Sequence, residues 1–148
     1  MSKEAKSADL IMKLYDLRRE ATMREARNWF IGFFPENVDD VMRAMLDPKT
    51  SAFYRMVVSY WDMAAGFVNH GAINEEMFLE TNGEAVLVFA KIQPYLEDIR
   101  VTAANPKYLI NLATLIMKQP DAEALLASRR EMLKNMMAAR LELANAAA

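Results

Sequence analysis

Four glycines and five prolines are all that interrupt a chain built mainly from Ala, Leu, Met, Glu, Lys and Arg, with β-branched residues thinly scattered. Those dominant residues are the ones that lose least on entering a helix. No run keeps the alternation of a half-buried strand for long, and no repeat of roughly 20–50 residues stands out. The pattern predicts an all-α fold: one domain over residues 1–148, a multi-helix bundle of about six or seven helices. The first, third and last helices should be long, with residues 1–7 and 146–148 frayed.

The breakers place the helix limits. A first helix is expected from Ala8 to Phe30, with Leu10, Ile11, Leu14, Leu17 and Ala21 at three-and-four spacing and the pairs Asp9–Lys13 and Glu20–Arg24 one turn apart. The cluster Trp29, Phe30, Ile31, Phe33 and Phe34, ended by Gly32 and Pro35, should anchor it. Asn37 then caps a short helix to Leu46. Asp47-Pro48 makes a turn, and Thr50 or Ser51 caps a third helix over Ala52–Asn69, so apolar around its circumference that it should be central. A short helix over Glu75–Glu80 ends at Asn82-Gly83, and Pro94 should kink or divide the segment Glu84–Ala103 near Gln93. Asn105-Pro106 looks like the start of a helix to Lys118, and Pro120 opens a last one to Asn145. That last helix carries a stripe of Leu and Met that needs a partner.

Inventory excludes whole classes of chemistry. There is no cysteine, so disulfides, thiolate metal sites and cysteine nucleophiles are absent. A net charge of −2 supplies no field to attract nucleic acid. The N-terminus lacks the apolar core of a secretory signal, and the longest apolar cluster, WFIGFF, is too short to cross a bilayer. Neither nucleic acid nor membrane is an expected partner, and a cytoplasmic location is expected.

The stretch NHGAINEEMF looks at first like the end of a calcium loop. Aligning Gly71 with the loop glycine matches Ile73, but the ligand positions then fall on Gly66, Val68, His70 and Met77, which carry no carboxylate. A turn explains more: Gly71 ends the third helix, Asn74 caps the fourth, Glu75 and Glu76 face its positive end, and Ile73 and Phe78 have staple spacing. His70 is the only histidine, so it cannot complete a two-histidine di-iron bundle. It reads as a residue compensating a helix C-terminus. Ser59 and Thr114 have no nucleophile elbow around them, and no phosphate-binding glycine pattern occurs.

Asp62 stands out in the apolar YWDMAAGF. A buried acid there could titrate near neutrality, although an ion pair with Arg55 or Arg100, or a bond to a tyrosine, accounts for it more simply. Arg18, Arg19, Arg24 and Arg27 are interleaved with Asp16, Glu20 and Glu25 and read as a solvated face. Most of the twelve methionines fall at core spacing, with Met132, Met136 and Met137 as the expected exceptions.

The segments YDLRREATMREARNWF, YRMVVSYWDMAAGFVNHGAINEEMFLETNGE and KIQPYLEDIR together resemble a group of bacterial helical domains of unknown function. Tyr60, Trp61, Asp62, Gly71 and Ile73 carry most of the likeness, which covers residues 10–115. Some relatives carry a membrane-spanning segment, for which this chain has no apolar run of sufficient length. The resemblance implies a bacterial all-α domain and brings with it no activity, cofactor or catalytic residue.

The expected function is therefore contact without catalysis, as a homo-oligomer (a dimer foremost) or a protein-binding module, with no catalytic, cofactor or metal residues. The alternative is a small-molecule-binding or catalytic bundle with a pocket near Tyr60, Trp61, Asp62 and His70.

Overall fold

Helix-forming composition is realised from end to end. The computed structural model describes residues 1–148, and it contains nine α-helices and no strand. In order these are α1 (Lys3–Leu17), α2 (Ala21–Ile31), α3 (Val38–Leu46), α4 (Ser51–Asn69) and α5 (Glu75–Thr81). They are followed by α6 (Gly83–Ile92), α7 (Leu96–Thr102), α8 (Ile110–Met117) and α9 (Ala122–Ala147). The all-α expectation holds, but six or seven helices is too few.

The largest departure is the first helix, which breaks in two at Arg18–Glu20. Its buried residues explain why. Ser7, Ile11 and Leu14 form one face, and an unbroken helix would carry that face on through Arg18, Ala21 and Glu25. The residues that are buried next are Met23, Ala26 and Phe30, roughly half a turn out of phase. The break resets the phase. Glu20, expected to pair with Arg24, instead caps α2 by accepting from the Thr22 and Met23 N–H groups at 3.0 and 2.9 Å. The Asp9–Lys13 pair forms, at 3.3 Å. At its start Ser2 caps α1, and Ser7 is buried, its hydroxyl accepting from the Asn74 N–H at 2.9 Å.

Several of the local signals work as read. Asn37 accepts from the Asp40 N–H at 2.8 Å, and Asp40 returns the bond by accepting from the Glu36 N–H. Gly71 has φ +81, the left-handed value that ends a helix without strain only in glycine. Asn74 accepts from the Met77 N–H at 2.8 Å, and the staple residues Ile73 and Phe78 are both buried. Pro94 divides its segment as expected, with a single 3-10 turn at Gln93–Tyr95 between α6 and α7. Asn82-Gly83 ends α5 as expected, and Asn82 is buried and belongs to the ends of both α5 and α6.

α4 is the axle, packed against α2, α3, α5, α6 and α8. Trp61, Tyr54, Phe78 and Phe89 fill the space around it without measurable exposure. Truncating any of these to alanine removes about 3–5 kcal/mol. The expectation that α4 is enclosed on all sides needs one correction, since Met63 and Phe67 stay 42% and 43% exposed on its open face. The aromatic cluster does anchor the N-terminal helices: Trp29 stacks on Phe33 at 5.0 Å, and Phe30 and Phe33 both pack near the Tyr54 ring. Tyr60 ties α1 to α4 by donating its hydroxyl to the Leu14 carbonyl.

α9 lies along α6 and touches α8. Its first half buries Ala122 and Leu126. Its last residues, 138–147, are all exposed, including Leu141 and Leu143 at 58% and 72%.

Candidate functional site

The four residues expected to share a pocket do not converge on one. Trp61 is fully buried and donates its indole N–H to Glu84 at 3.1 Å, while Tyr60 turns to Leu14, and burial pushes its hydroxyl up to about 12. His70 sits exposed at the C-terminus of α4, the position expected for it.

Asp62 does something else again. It pairs with neither Arg55 nor Arg100 and bonds no tyrosine. Its carboxylate reaches across to α8 and accepts from the Leu112 N–H at 2.9 Å and the Asn111 side-chain amide at 3.2 Å. Leu112 is in the first turn of α8, where backbone N–H groups have no partner of their own, so a carboxylate from another helix serves as the cap. This sets where α8 begins. Asn105-Pro106 therefore does not open the helix: residues 103–109 form turns, with Ala104 and Leu109 left-handed. Gly66 allows the approach, because a Cβ there would stand 3.1 Å from the Asn111 amide.

The mirror image of this arrangement occurs at Lys91 on α6, a residue that the sequence reading passed over. Lys91 is only 5% exposed. Its ammonium donates to the Phe30 and Ile31 carbonyls at 2.7 and 2.9 Å, closing the negative end of α2. The rings of Phe34 and Phe30 lie 4.1 and 5.3 Å away. None of the chain's ion pairs includes Lys91. Burial without a counter-charge pulls it down from 10.5 to about 8.

Lys91 and Leu133 border two clefts that flank α9. One, of about 510 Å³, is lined by Phe34, Glu36 and Tyr95 on one side and by Arg130 and Lys134 from α9 on the other. With Lys91 it gathers three cations against one carboxylate. Arg130 is positioned by donating to the Ala90 carbonyl at 3.0 Å, and Tyr95 by donating to the Pro35 carbonyl at 2.9 Å. The second, of about 240 Å³, is an apolar groove between α2, α6 and α9, walled chiefly by Phe30, Ile31, Val57, Val88, Met132 and Met136. The expected exceptions Met132 and Met136 are thus outside the core, exposed along this groove, while Met137 is half-buried. At its edge Arg27 holds Glu84 through a two-pronged bond at 3.0 Å on each prong, which neutralises both.

The signal for Lys91 was present in the sequence: one charge in the apolar run AVLVFAKI, the same irregularity that draws attention to Asp62. No group of three His, Asp or Glu side chains converges to hold a metal ion, and no helix is long and apolar enough to cross a membrane.

No curated protein and no solved structure matches the chain. The α9 wall of both clefts lies outside the part that does find a family. Over residues 5–119 the sequence matches the model of a domain of unknown function, DUF4760, and the chain belongs to that family.

Proposed function

We propose that this all-helical protein is a binding module, without catalysis of its own, for an organic anion with an apolar tail. The observation that carries the reading is Lys91: a buried ammonium without a carboxylate partner, bordering both a cationic cleft and an apolar groove. An unpaired buried charge is costly, and an anion from solution would lower that cost. Arg130 and Lys134 add the charge that attracts it, and the Met and Val side chains of the groove accept the tail. Few convergent polar groups in a mostly apolar concavity is the usual make-up of a small-molecule site.

Titration with decanoate, followed by calorimetry and amide chemical shifts, tests it. Saturable binding that shifts residues of α2, α6 and α9 supports the reading. Lys91→Met and Arg130→Gln should each weaken binding about tenfold, the order of a lost charge-assisted contact. Decanol and acetate, each lacking one half of the recognised chemistry, should bind poorly. Equal binding of decanol and decanoate would overturn the reading.

A second reading, a homodimer through α9, rests on Leu141 and Leu143, which lie exposed on a helix that runs past the body. Native mass spectrometry of the full chain should then give a dimer, and deletion of residues 141–148 a monomer. A monomeric full chain overturns it. Under either reading a cytoplasmic setting is supported by a chain without cysteine.

A further inference from the structure

We infer that Lys91 is a carbonyl-trapping residue: an anionic aldehyde bound in the cationic cleft condenses with its Nζ to form a reversible imine. The inference rests on the anion-binding reading above and adds a covalent step to it.

The geometry accommodates the neutral amine as well as the ammonium. An uncharged Nζ has two N–H groups and one lone pair. Both N–H groups have acceptors already in place, the Phe30 and Ile31 carbonyls at 2.7 and 2.9 Å. No further hydrogen-bond partner engages Nζ. Burial without a counter-charge draws Nζ down to about 8, so a neutral fraction able to attack a carbonyl is present near pH 7. The charged and titratable groups around Nζ add no proton-holding partner. Arg27 and Glu84 neutralise each other; Glu36 and Tyr95 face Arg130 and Lys134 across the cleft, and Arg140 borders the groove. Arg130 and Lys134 stand where a phosphate or carboxylate on the same molecule would hold the aldehyde beside Lys91.

In the reaction the Nζ lone pair forms a bond to the carbonyl carbon, and the π pair of the C=O moves to oxygen. A proton transfers from nitrogen to that oxygen to give the carbinolamine. A further proton lets the oxygen depart as water while the nitrogen lone pair closes the C=N bond. Loss of the remaining N–H proton gives the neutral imine, so aldehyde plus amine yields imine plus water. No oxidant or reductant takes part.

The test uses pyridoxal 5′-phosphate as an aldehyde carrying a phosphate, with pyridoxine 5′-phosphate as the same anion without the aldehyde. The full chain is incubated with each near pH 7. The imine is read by its visible absorbance, reduced with borohydride and mapped by peptide mass. One dominant adduct on Lys91 is expected, in preference to the exposed Lys13 and Lys49, because burial draws the Lys91 amine down to about 8. Lys91→Met should abolish that adduct. Because that variant alters a buried position, Arg130→Gln with Lys134→Gln provides a second arm. It should weaken both phosphorylated probes about tenfold or more. Binding of pyridoxine 5′-phosphate without an imine from the aldehyde overturns this inference alone. Failure of both phosphates to bind overturns it together with the anion-binding reading, and indiscriminate labelling of surface lysines also overturns it.

Discussion

Replacing Lys91 with methionine separates the electrostatics of the buried amine from its packing, because methionine keeps the unbranched apolar stem and removes the charge. In the unfolded chain the group titrates near 10.5, and in the fold near 8. Below pH 8 both states carry the proton, and the native state bears the whole desolvation cost, about 3 kcal/mol for a shift of this size. Between about pH 8 and 10.5 the native amine is neutral while the unfolded chain still holds a proton. The unfolded state then binds more protons, so stability rises with pH, and by about pH 9.5 about 2 kcal/mol of the cost has gone. Burial shifts the tyrosines the other way: Tyr60 and Tyr108 are pushed up to about 12 and Tyr54 well above its ordinary value. Above pH 10 their ionisation in the unfolded chain erodes stability. Since Lys91→Met retains all three, subtracting one protein from the other removes their contribution. At pH 7 the variant is relieved of the buried charge but leaves the Ile31 carbonyl without its Lys91 donor, at about 1–3 kcal/mol, so the two proteins should lie within about 1 kcal/mol. At about pH 9.5 the variant should have lost about 2 kcal/mol against wild type. Urea unfolding followed by the fluorescence of Trp29 and Trp61 across this range measures it. A difference that stays constant with pH would refute the argument that Lys91 is buried charged at neutral pH.

Asp62→Ala should destabilise by about 1–2 kcal/mol through loss of the cap on α8, and Asp62→Asn by less, because the amide oxygen still accepts from Leu112; urea midpoints distinguish them. Gly71→Val should cost about 1–2 kcal/mol purely from backbone strain, since no atom lies within 4 Å of a Cβ there; an unchanged melting temperature would contradict the left-handed cap. Deleting residues 141–148 should change stability by less than about 0.5 kcal/mol, because every residue removed is exposed; a larger drop in thermal denaturation would show that the tail folds back on the body.

What could be read from the sequence divides along a physical line. Asn37, Gly71, Asn74 and Pro94 act on backbone groups within a few residues of themselves, and each was assigned its role from its neighbours alone. The break at Arg18–Glu20 was missed because Leu10, Ile11, Leu14, Leu17 and Ala21 suggested a single continuous stripe. Only the buried set, with Leu14 followed by Met23, reveals the slip in phase. Asn105-Pro106 had the local form of a helix start but was overridden by Asp62, which lies about fifty residues away in sequence and decides where α8 begins. Lys91 belongs to the same class. Its two acceptors are 60 and 61 residues distant, so nothing nearby in the sequence indicates that its ammonium closes α2 rather than reaching solvent. The expected pocket at Tyr60, Trp61, Asp62 and His70 grouped residues that are close in sequence. On a helix such neighbours point in different directions, and these four reach α1, α6, α8 and solvent respectively.

The central claim is that Lys91 is the charge that receives an anion. An anion seated against a desolvated ammonium favours the protonated form, so binding must raise the titration midpoint of that one lysine. Carbon NMR of the protein labelled at the lysine side chains, with Lys91 assigned by its absence in Lys91→Met, follows that midpoint directly. Without ligand it should lie at about 8. With saturating decanoate it should rise by about one unit or more, the equivalent of at least tenfold tighter binding to the charged form. A midpoint that stays where it was while decanoate binds would place the anion elsewhere and contradict the account.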